Sequence, residues 1–114
     1  MATETIDAEK VNELAQAGRD VVIKSIRTAL RERSGHAWSV TGGRGTAWGW
    51  ITIRAHGERW MAPETCAKLG ALLGLTSVHP QGESIPASRD YYRVALARAL
   101  YGEAAGFTAE RYWD

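Results

Sequence analysis

The strongest indication of the fold is a pair of strand-like runs around a glycine-rich turn. Residues 36–41 (His-Ala-Trp-Ser-Val-Thr) and 47–55 (Ala-Trp-Gly-Trp-Ile-Thr-Ile-Arg-Ala) are rich in aromatic and β-branched side chains and alternate in polarity. Residues 42–46, Gly-Gly-Arg-Gly-Thr, lie between them and are typical of a turn. Two such runs around a glycine-rich loop predict an antiparallel β-hairpin.

Alternation along the second run separates its side chains into two sets. One set is apolar and narrow: Ala47, Gly49, Ile51, Ile53 and Ala55. The other set holds two indoles and a guanidinium: Trp48, Trp50, Thr52 and Arg54. Because successive side chains of a strand point to opposite faces, we expect the first set to pack under a helix. The second set then faces solvent if helices cover only one side of the sheet.

The length of the turn decides which set the first strand joins. A four-residue loop pairs Thr41 with Thr46 and places Trp38 and Val40 on the isoleucine face. A five-residue loop pairs Trp38 with Trp50 and gathers all the large side chains on one face, which must then be core, since a one-residue slip reverses every side chain. We prefer the four-residue loop because it leaves small polar residues opposite the apolar set.

Apolar spacing predicts a long helix before the hairpin. From about Asp7 to Arg33, apolar residues recur at intervals of three and four, which is the pattern of one buried stripe. Thr5 or Asp7 is a suitable N-cap, and Gly35 follows the expected end. Gly18 lies on the stripe, where it either breaks the helix in two or allows a close approach to the sheet.

Two shorter helices are predicted after the hairpin. Pro63 suits a first helical turn and Gly74 a C-terminal stop. Ser88 is expected to cap a last helix over residues 89–101, with Gly102 beyond its end.

The segments between these helices have weaker patterns. Trp60 is predicted to enter a short third strand, and residues 75–79 to form another brief strand. Residues 80–87, bounded by two prolines, are predicted to be an ordered loop. The aromatic tail, residues 103–114, is expected to dock onto the domain.

Length and composition favour a single globular domain over residues 1–114, with residues 1–6 flexible. The chain has 114 residues, of which 45% are hydrophobic and 24% charged. The predicted class is α+β: a small antiparallel sheet centred on the tryptophan-rich hairpin, with the long N-terminal helix and two further helices packed on it. The sequence has no membrane-spanning run and no secretory signal, and Cys66 is its one cysteine, so we expect a cytoplasmic protein without membrane contact.

The charge is unevenly distributed along the chain. Residues 19–61 hold eight Lys or Arg against three acidic residues, although the whole chain has a net charge of +1. Within this basic block Lys24, Arg27 and Arg31 are spaced to share one helix face, which would follow a phosphate backbone or remain simply solvated.

The residue pattern does not predict catalysis or a metal site. His36, His56, His79 and Cys66 lack the short paired spacings of zinc ligands. The sequence has no nucleophile elbow, and its carboxylates are scattered at expected helix starts. We therefore expect a protein that is not an enzyme and uses no metal or cofactor.

The indole-bearing face of the hairpin carries the functional prediction. Exposed indoles beside Arg54 would stack nucleic-acid bases, with Arg44 at the turn for phosphates. The same surface would equally bind a host protein or a second copy of the chain in a homodimer, since Trp and Arg are favoured at binding hot spots. Burial of both indoles in the core is the structural alternative. The predicted contact residues are Trp48, Trp50, Arg54, Arg44, Lys24, Arg27 and Arg31.

A series of short motifs resembles a family of mobile-element domains. The motifs are Ile26-Arg27-x-x-Leu30, Trp38-Ser39-Val40-Thr41-Gly42-Gly43 and Trp50-Ile51-Thr52-Ile53. They are similar to small domains attached to the large polyvalent proteins of phages and conjugative elements, which also pair a helix with a Ser-Val hairpin and a glycine-rich tip. The resemblance implies an accessory role: handling nucleic acid for a phage or plasmid, or inhibiting a host defence such as CRISPR by binding a protein.

Overall fold

The computed structural model describes residues 7–43, 50–86 and 89–103. This part of the chain has an α+β fold, as predicted, with four helices and one three-stranded antiparallel sheet. In chain order the elements are α1 (Ala8–Gln16), α2 (Arg19–Ser34), β1 (Trp38–Gly42), β2 (Trp50–Ala55), α3 (Pro63–Leu73), β3 (Glu83–Pro86) and α4 (Arg89–Tyr101).

The predicted N-terminal helix is divided into α1 and α2. Asp7 caps α1, because its Oδ1 accepts a hydrogen bond from the backbone N–H of Lys10 at 3.1 Å. Gly18 is the N-cap of α2 and has a φ of 109°, a conformation that residues with a Cβ rarely adopt. Of the two alternatives for Gly18, the structure therefore shows the break. α2 ends at Gly35, as predicted.

The two later helices agree with their predictions. α3 begins with Pro63 in its first turn and ends at Gly74. α4 covers residues 89–101 and is followed by Gly102. The predicted cap Ser88 and the tail after residue 103 lie outside the described residues. Within the described part of the chain, no helix has both the length and the apolar character needed to cross a membrane.

The third strand of the sheet comes from a segment predicted to be a loop. β3 pairs with β2 so that Ile85 lies opposite Ile51, in the sheet order β1-β2-β3. The predictions of strands at Trp60 and at residues 75–79 were wrong, since neither is in a strand. Gly82 brings the chain into β3 with a φ of 115°, so close to β2 that a Cβ there would lie 2.6 Å from a backbone oxygen.

The hairpin register differs from both predicted registers, but its faces are those of the preferred one. Trp38 pairs with Ala55 and Val40 with Ile53. The strands are therefore joined through residues 44–49, a longer connection than the four or five residues predicted. An even-numbered shift keeps every side chain on its face, so Trp38 and Val40 still share a face with the isoleucines.

One face of the sheet packs against the helices and is called here the inner sheet face. Its apolar residues are Trp38, Val40, Ile51, Ile53, Ala55 and Ile85, none more than 8% exposed. They form one core with the apolar sides of all four helices. Full burial of an aliphatic side chain of this size contributes about 1.5–3 kcal/mol, so the inner sheet face contributes strongly to the stability of the fold.

Candidate nucleic-acid interface

The opposite face, called here the outer sheet face, is the candidate interface. Its described residues are mostly small and hydroxyl-bearing, around one indole and one guanidinium: Ser39, Thr41, Trp50, Thr52, Arg54, Ser84 and Pro86. None of these residues is buried, and Trp50 is 47% exposed. A sheet face that presents an aromatic ring to solvent is a platform on which bases can stack.

Trp50 is the first residue of β2, the central strand of the sheet. Its carbonyl oxygen accepts a hydrogen bond of 2.9 Å from the N–H of Gly43, just beyond β1. On its other side it lies opposite Pro86 of β3. Neither neighbour has a long side chain, and Trp50 is 47% exposed, so the indole is accessible to a ligand on the outer sheet face.

Arg54 is on the same face and the same strand as Trp50. The two residues are four positions apart, which on a β-strand is about 13 Å. Arg54 is half-buried, and Thr52 lies between it and the indole. The described outer sheet face therefore combines an aromatic ring, hydroxyl groups and a cation, with no carboxylate among its residues.

Several arginines of the basic block bind backbone carbonyls through their guanidinium groups. Arg19 Nη2 donates to Gly43 O at 2.8 Å, and Arg27 Nη2 donates to Val40 O at 2.8 Å. Arg33 donates in the same way to carbonyls at the C-terminal ends of α3 and α4. The bonds of Arg19 and Arg27 hold α2 along β1, and those of Arg33 join α2 to the ends of α3 and α4, where carbonyls lack partners within their own helix.

Arg27 also closes the free edge of the sheet. Gly43 and Trp50 form a hydrogen-bonded pair, and such pairs alternate along antiparallel strands. The carbonyl of Val40 therefore points away from β2, towards α2, where Arg27 binds it. At the other edge, Pro86 of β3 has no N–H to donate. An exposed edge can pair with another strand. Arg27 at the β1 edge and Pro86 at the β3 edge each oppose such pairing, so a ligand is more readily placed on the face of the sheet than along an edge.

A cleft of about 370 Å³ separates α2 from β1 and is called here the α2–β1 cleft. Its lining is cationic, hydroxyl-bearing or apolar, without a carboxylate: Arg27, Arg31, Ala37, Trp38, Ser39, Val40, Thr41 and His56. Ser39 and Thr41 belong to the outer sheet face as well. The cleft is therefore continuous with the surface around Trp50.

The predicted grouping of three cations on α2 is only partly realised. Arg27 and Arg31 come together at the α2–β1 cleft, whereas Lys24 is exposed and is not among the residues that line it. The three residues share one side of the helix by their spacing, but Lys24 lies about two turns before Arg31 along α2 and is not part of the cleft lining. The remaining predicted residues, Arg44 and Trp48, lie outside the described residues.

A second aromatic surface was not singled out by the sequence. Trp60 is 64% exposed, more than the other large hydrophobic residues of the described chain. Its ring packs edge-on against His79 at 6.0 Å between centroids, beside an uncharged cleft of about 640 Å³ that Cys66 also lines. The position of Trp60, between a turn and the helix start at Pro63, is the signal that could have indicated an exposed connection.

The groups with shifted pKa values lie away from the outer sheet face. Burial raises the pKa of Glu83, and the nearby Arg98 opposes this shift. Burial likewise raises the pKa of Tyr92 in the core, with Arg19 opposing it. Across residues 7–43, 50–86 and 89–103, no three His, Cys, Asp or Glu side chains are grouped to hold a metal ion.

No known protein family, curated protein or solved structure matches this chain. The resemblance to domains of polyvalent proteins therefore stays a prediction based on short motifs. Some residues of those motifs have structural roles, since Ile26 and Leu30 are buried and Val40 belongs to the core. Among the large hydrophobic residues of those motifs that the structure describes, Trp50 is the exposed one.

Proposed function

We propose that this chain is a non-enzymatic module that binds nucleic acid through the outer sheet face. The observation that supports this proposal is Trp50, an indole that is 47% exposed although its strand is the central one of the sheet. An indole of this size is usually well buried. Its exposure on a fixed strand, among hydroxyl groups and beside Arg54, favours a ligand with flat rings and negative charge.

Stacking would supply the sequence-independent part of the affinity. A base stacked on an aromatic side chain contributes about 1–3 kcal/mol, and every base offers a suitable π face. The hydroxyls of Ser39, Thr41, Thr52 and Ser84 can donate to or accept from base edges and sugars. With one indole on the described face, we expect modest affinity, weak sequence preference and a clear dependence on salt.

The motif resemblance supports a role in a phage or conjugative element, where small proteins that handle nucleic acid are needed. The same resemblance leaves a protein of a host defence system, such as CRISPR, as the alternative ligand. A protein ligand would also use Trp50 as an anchor. The two ligands differ in salt dependence, because phosphate contacts release counterions and an apolar protein contact does not.

The test is binding of a fluorescein-labelled oligothymidylate at low salt, followed by fluorescence anisotropy. Trp50→Ala should weaken binding about tenfold or more, the effect of losing one stacked base. Trp50→Phe should retain part of the affinity because its ring still stacks. Trp60→Ala is the matched control, since it removes an even more exposed indole away from the outer sheet face.

Circular dichroism should show all three variants folded, so that lost binding reports the surface alone. Equal losses in Trp50→Ala and Trp60→Ala would argue against this face. The proposal fails if the unmodified protein binds neither single- nor double-stranded probes at low salt. Capture of a single host protein that is lost in Trp50→Ala would instead support the protein-binding alternative.

A further inference from the structure

The α2–β1 cleft places two guanidinium groups beside the outer sheet face. Arg27 is anchored through Nη2 to the carbonyl of Val40, and an arginine has further N–H groups to offer a ligand. Arg31 lies one helical turn further along α2, and the Cβ atoms of residues at this spacing are about 6 Å apart. Arg31 is exposed, and its guanidinium forms no hydrogen bond or ion pair with any of the described residues.

The remaining lining of the cleft suits a phosphodiester. The hydroxyls of Ser39 and Thr41 and the imidazole of His56 are at hand as further donors. Planar guanidinium groups match the oxygens of a phosphate better than an ammonium does. The adjoining cleft, which shares Ala37, Trp38 and His56 with this one, is lined by two carboxylates and one ammonium: Glu58, Glu64 and Lys68. An anion is therefore favoured in the α2–β1 cleft and disfavoured in the adjoining cleft, beside Glu58 and Glu64.

The position of the cleft distinguishes a single strand from a duplex. Ser39 and Thr41 border both the cleft and the outer sheet face, so a phosphate held there would leave its nucleotide beside Thr52 and Trp50. A base can stack on Trp50 only if it is unpaired and free of its neighbours. The bases of a duplex stay stacked inside it and do not meet this requirement.

We infer that the α2–β1 cleft binds phosphate groups of a single-stranded nucleic acid whose bases lie over the outer sheet face. This inference rests on the proposed function and adds the phosphate subsite and the strandedness of the ligand. Arg31 supplies the exposed cation of the subsite, and Arg27 supplies the cation that is anchored to the carbonyl of Val40.

The experiment compares two variants of α2 that remove the same charge. Arg31→Gln changes a residue that lines the cleft, whereas Lys24→Gln changes an exposed residue that does not. The affinity for the labelled oligothymidylate is measured over a series of KCl concentrations. The logarithm of the affinity falls as the logarithm of the salt concentration rises. Arg31→Gln should make this negative slope shallower by about 0.7 and should weaken low-salt binding about threefold, as for one lost phosphate contact. Lys24→Gln should leave the slope unchanged.

The outcomes separate this inference from the proposed function. Equal slopes for Arg31→Gln and Lys24→Gln would overturn the subsite, while the proposed function would stand if Trp50→Ala still loses affinity. Tighter binding to a duplex of the same length than to oligothymidylate would overturn the single-strand assignment. If the unmodified protein binds neither probe, the inference and the proposed function fall together. Retention of the slope by Arg31→Lys would support a charge contact.

Discussion

Trp38 and Trp50 lie on neighbouring strands of one hairpin, yet they are 4% and 47% exposed. Trp38 faces the helices, and its Nε1 donates to the hydroxyl of Ser34 at 2.9 Å. Trp50 faces solvent among small polar residues. The pairing of Trp38 with Ala55 places the two indoles on opposite faces, so strand register, rather than residue type, assigns one indole to the core and the other to a candidate ligand site.

The largest expected difference between the two indoles is in stability. Trp38→Ala should lower the free energy of unfolding by about 3–5 kcal/mol, because it leaves a cavity in the core. Trp50→Ala should change it by less than about 1 kcal/mol, as for an exposed residue. Urea denaturation of both variants measures the difference. Similar losses in both would mean that Trp50 packs as a core residue and would remove the main support for the outer sheet face as a ligand site.

The sequence predicted the two faces of the hairpin because period-two alternation survives any even shift of the strands. It did not predict the register, because the alternation continues through residues 47–49 and so placed the predicted turn at residues 42–46. β3 was missed because a four-residue edge strand with one aliphatic side chain and a terminal proline has the pattern of a loop. The exposure of Trp50 followed from the preferred faces, whereas the alternative register would have buried it.

The roles of the arginines were beyond local sequence patterns. Arg19 and Arg27 bind carbonyls that lie 24 and 13 residues further along the chain. Such contacts depend on how α2 lies along β1, which the spacing of charges on the helix does not specify. As a result, the sequence placed Lys24 with Arg27 and Arg31, and the fold separates it from the α2–β1 cleft.

A smaller loss of stability is expected when Ser34, the hydrogen-bond partner of the Trp38 indole, is changed. Ser34→Ala removes the hydroxyl that accepts from Trp38 Nε1 and leaves a buried N–H without a bond. The expected loss is about 1–2 kcal/mol in the free energy of unfolding. In a Trp38→Phe background the same substitution should cost less, because no indole N–H remains. Oligothymidylate affinity should stay unchanged in Ser34→Ala, and a loss of affinity would contradict the separation of the two faces.

The two sides of the sheet also differ in the charge that each carries. On the outer sheet face Arg54 is half-exposed and compatible with an anionic ligand. On the other side Glu83 lies opposite Ile53 and therefore projects towards the helices. It lines a cleft of about 200 Å³ between β3 and α4, together with Arg98. Glu83 is therefore an acidic residue on the otherwise apolar inner side of the sheet.

Glu83→Gln should give the smallest change and the one that depends most on pH. Burial raises the pKa of the Glu83 carboxyl above its ordinary value of 4.5, and the attraction of Arg98 opposes this only in part. The ionised form is therefore disfavoured in the fold, and at neutral pH it lowers stability relative to an unfolded chain with an ordinary carboxyl. Removing the charge should raise the melting temperature slightly at pH 7.

The rise in melting temperature of Glu83→Gln should disappear in acid, and the measurement in acid is therefore the control for the one at pH 7. Below the unfolded pKa the carboxyl is protonated in both states, so Glu83→Gln and the unmodified protein should melt together. Their difference should grow as the pH rises through 4.5 to the raised pKa of Glu83 and then stay constant. Glu64→Gln, at an exposed acid in the first turn of α3, should not stabilise, because the helix dipole favours a negative charge there. If Glu83→Gln instead destabilises the protein at pH 7, the attraction of Arg98 outweighs the effect of burial, and the ionised Glu83 stabilises the fold.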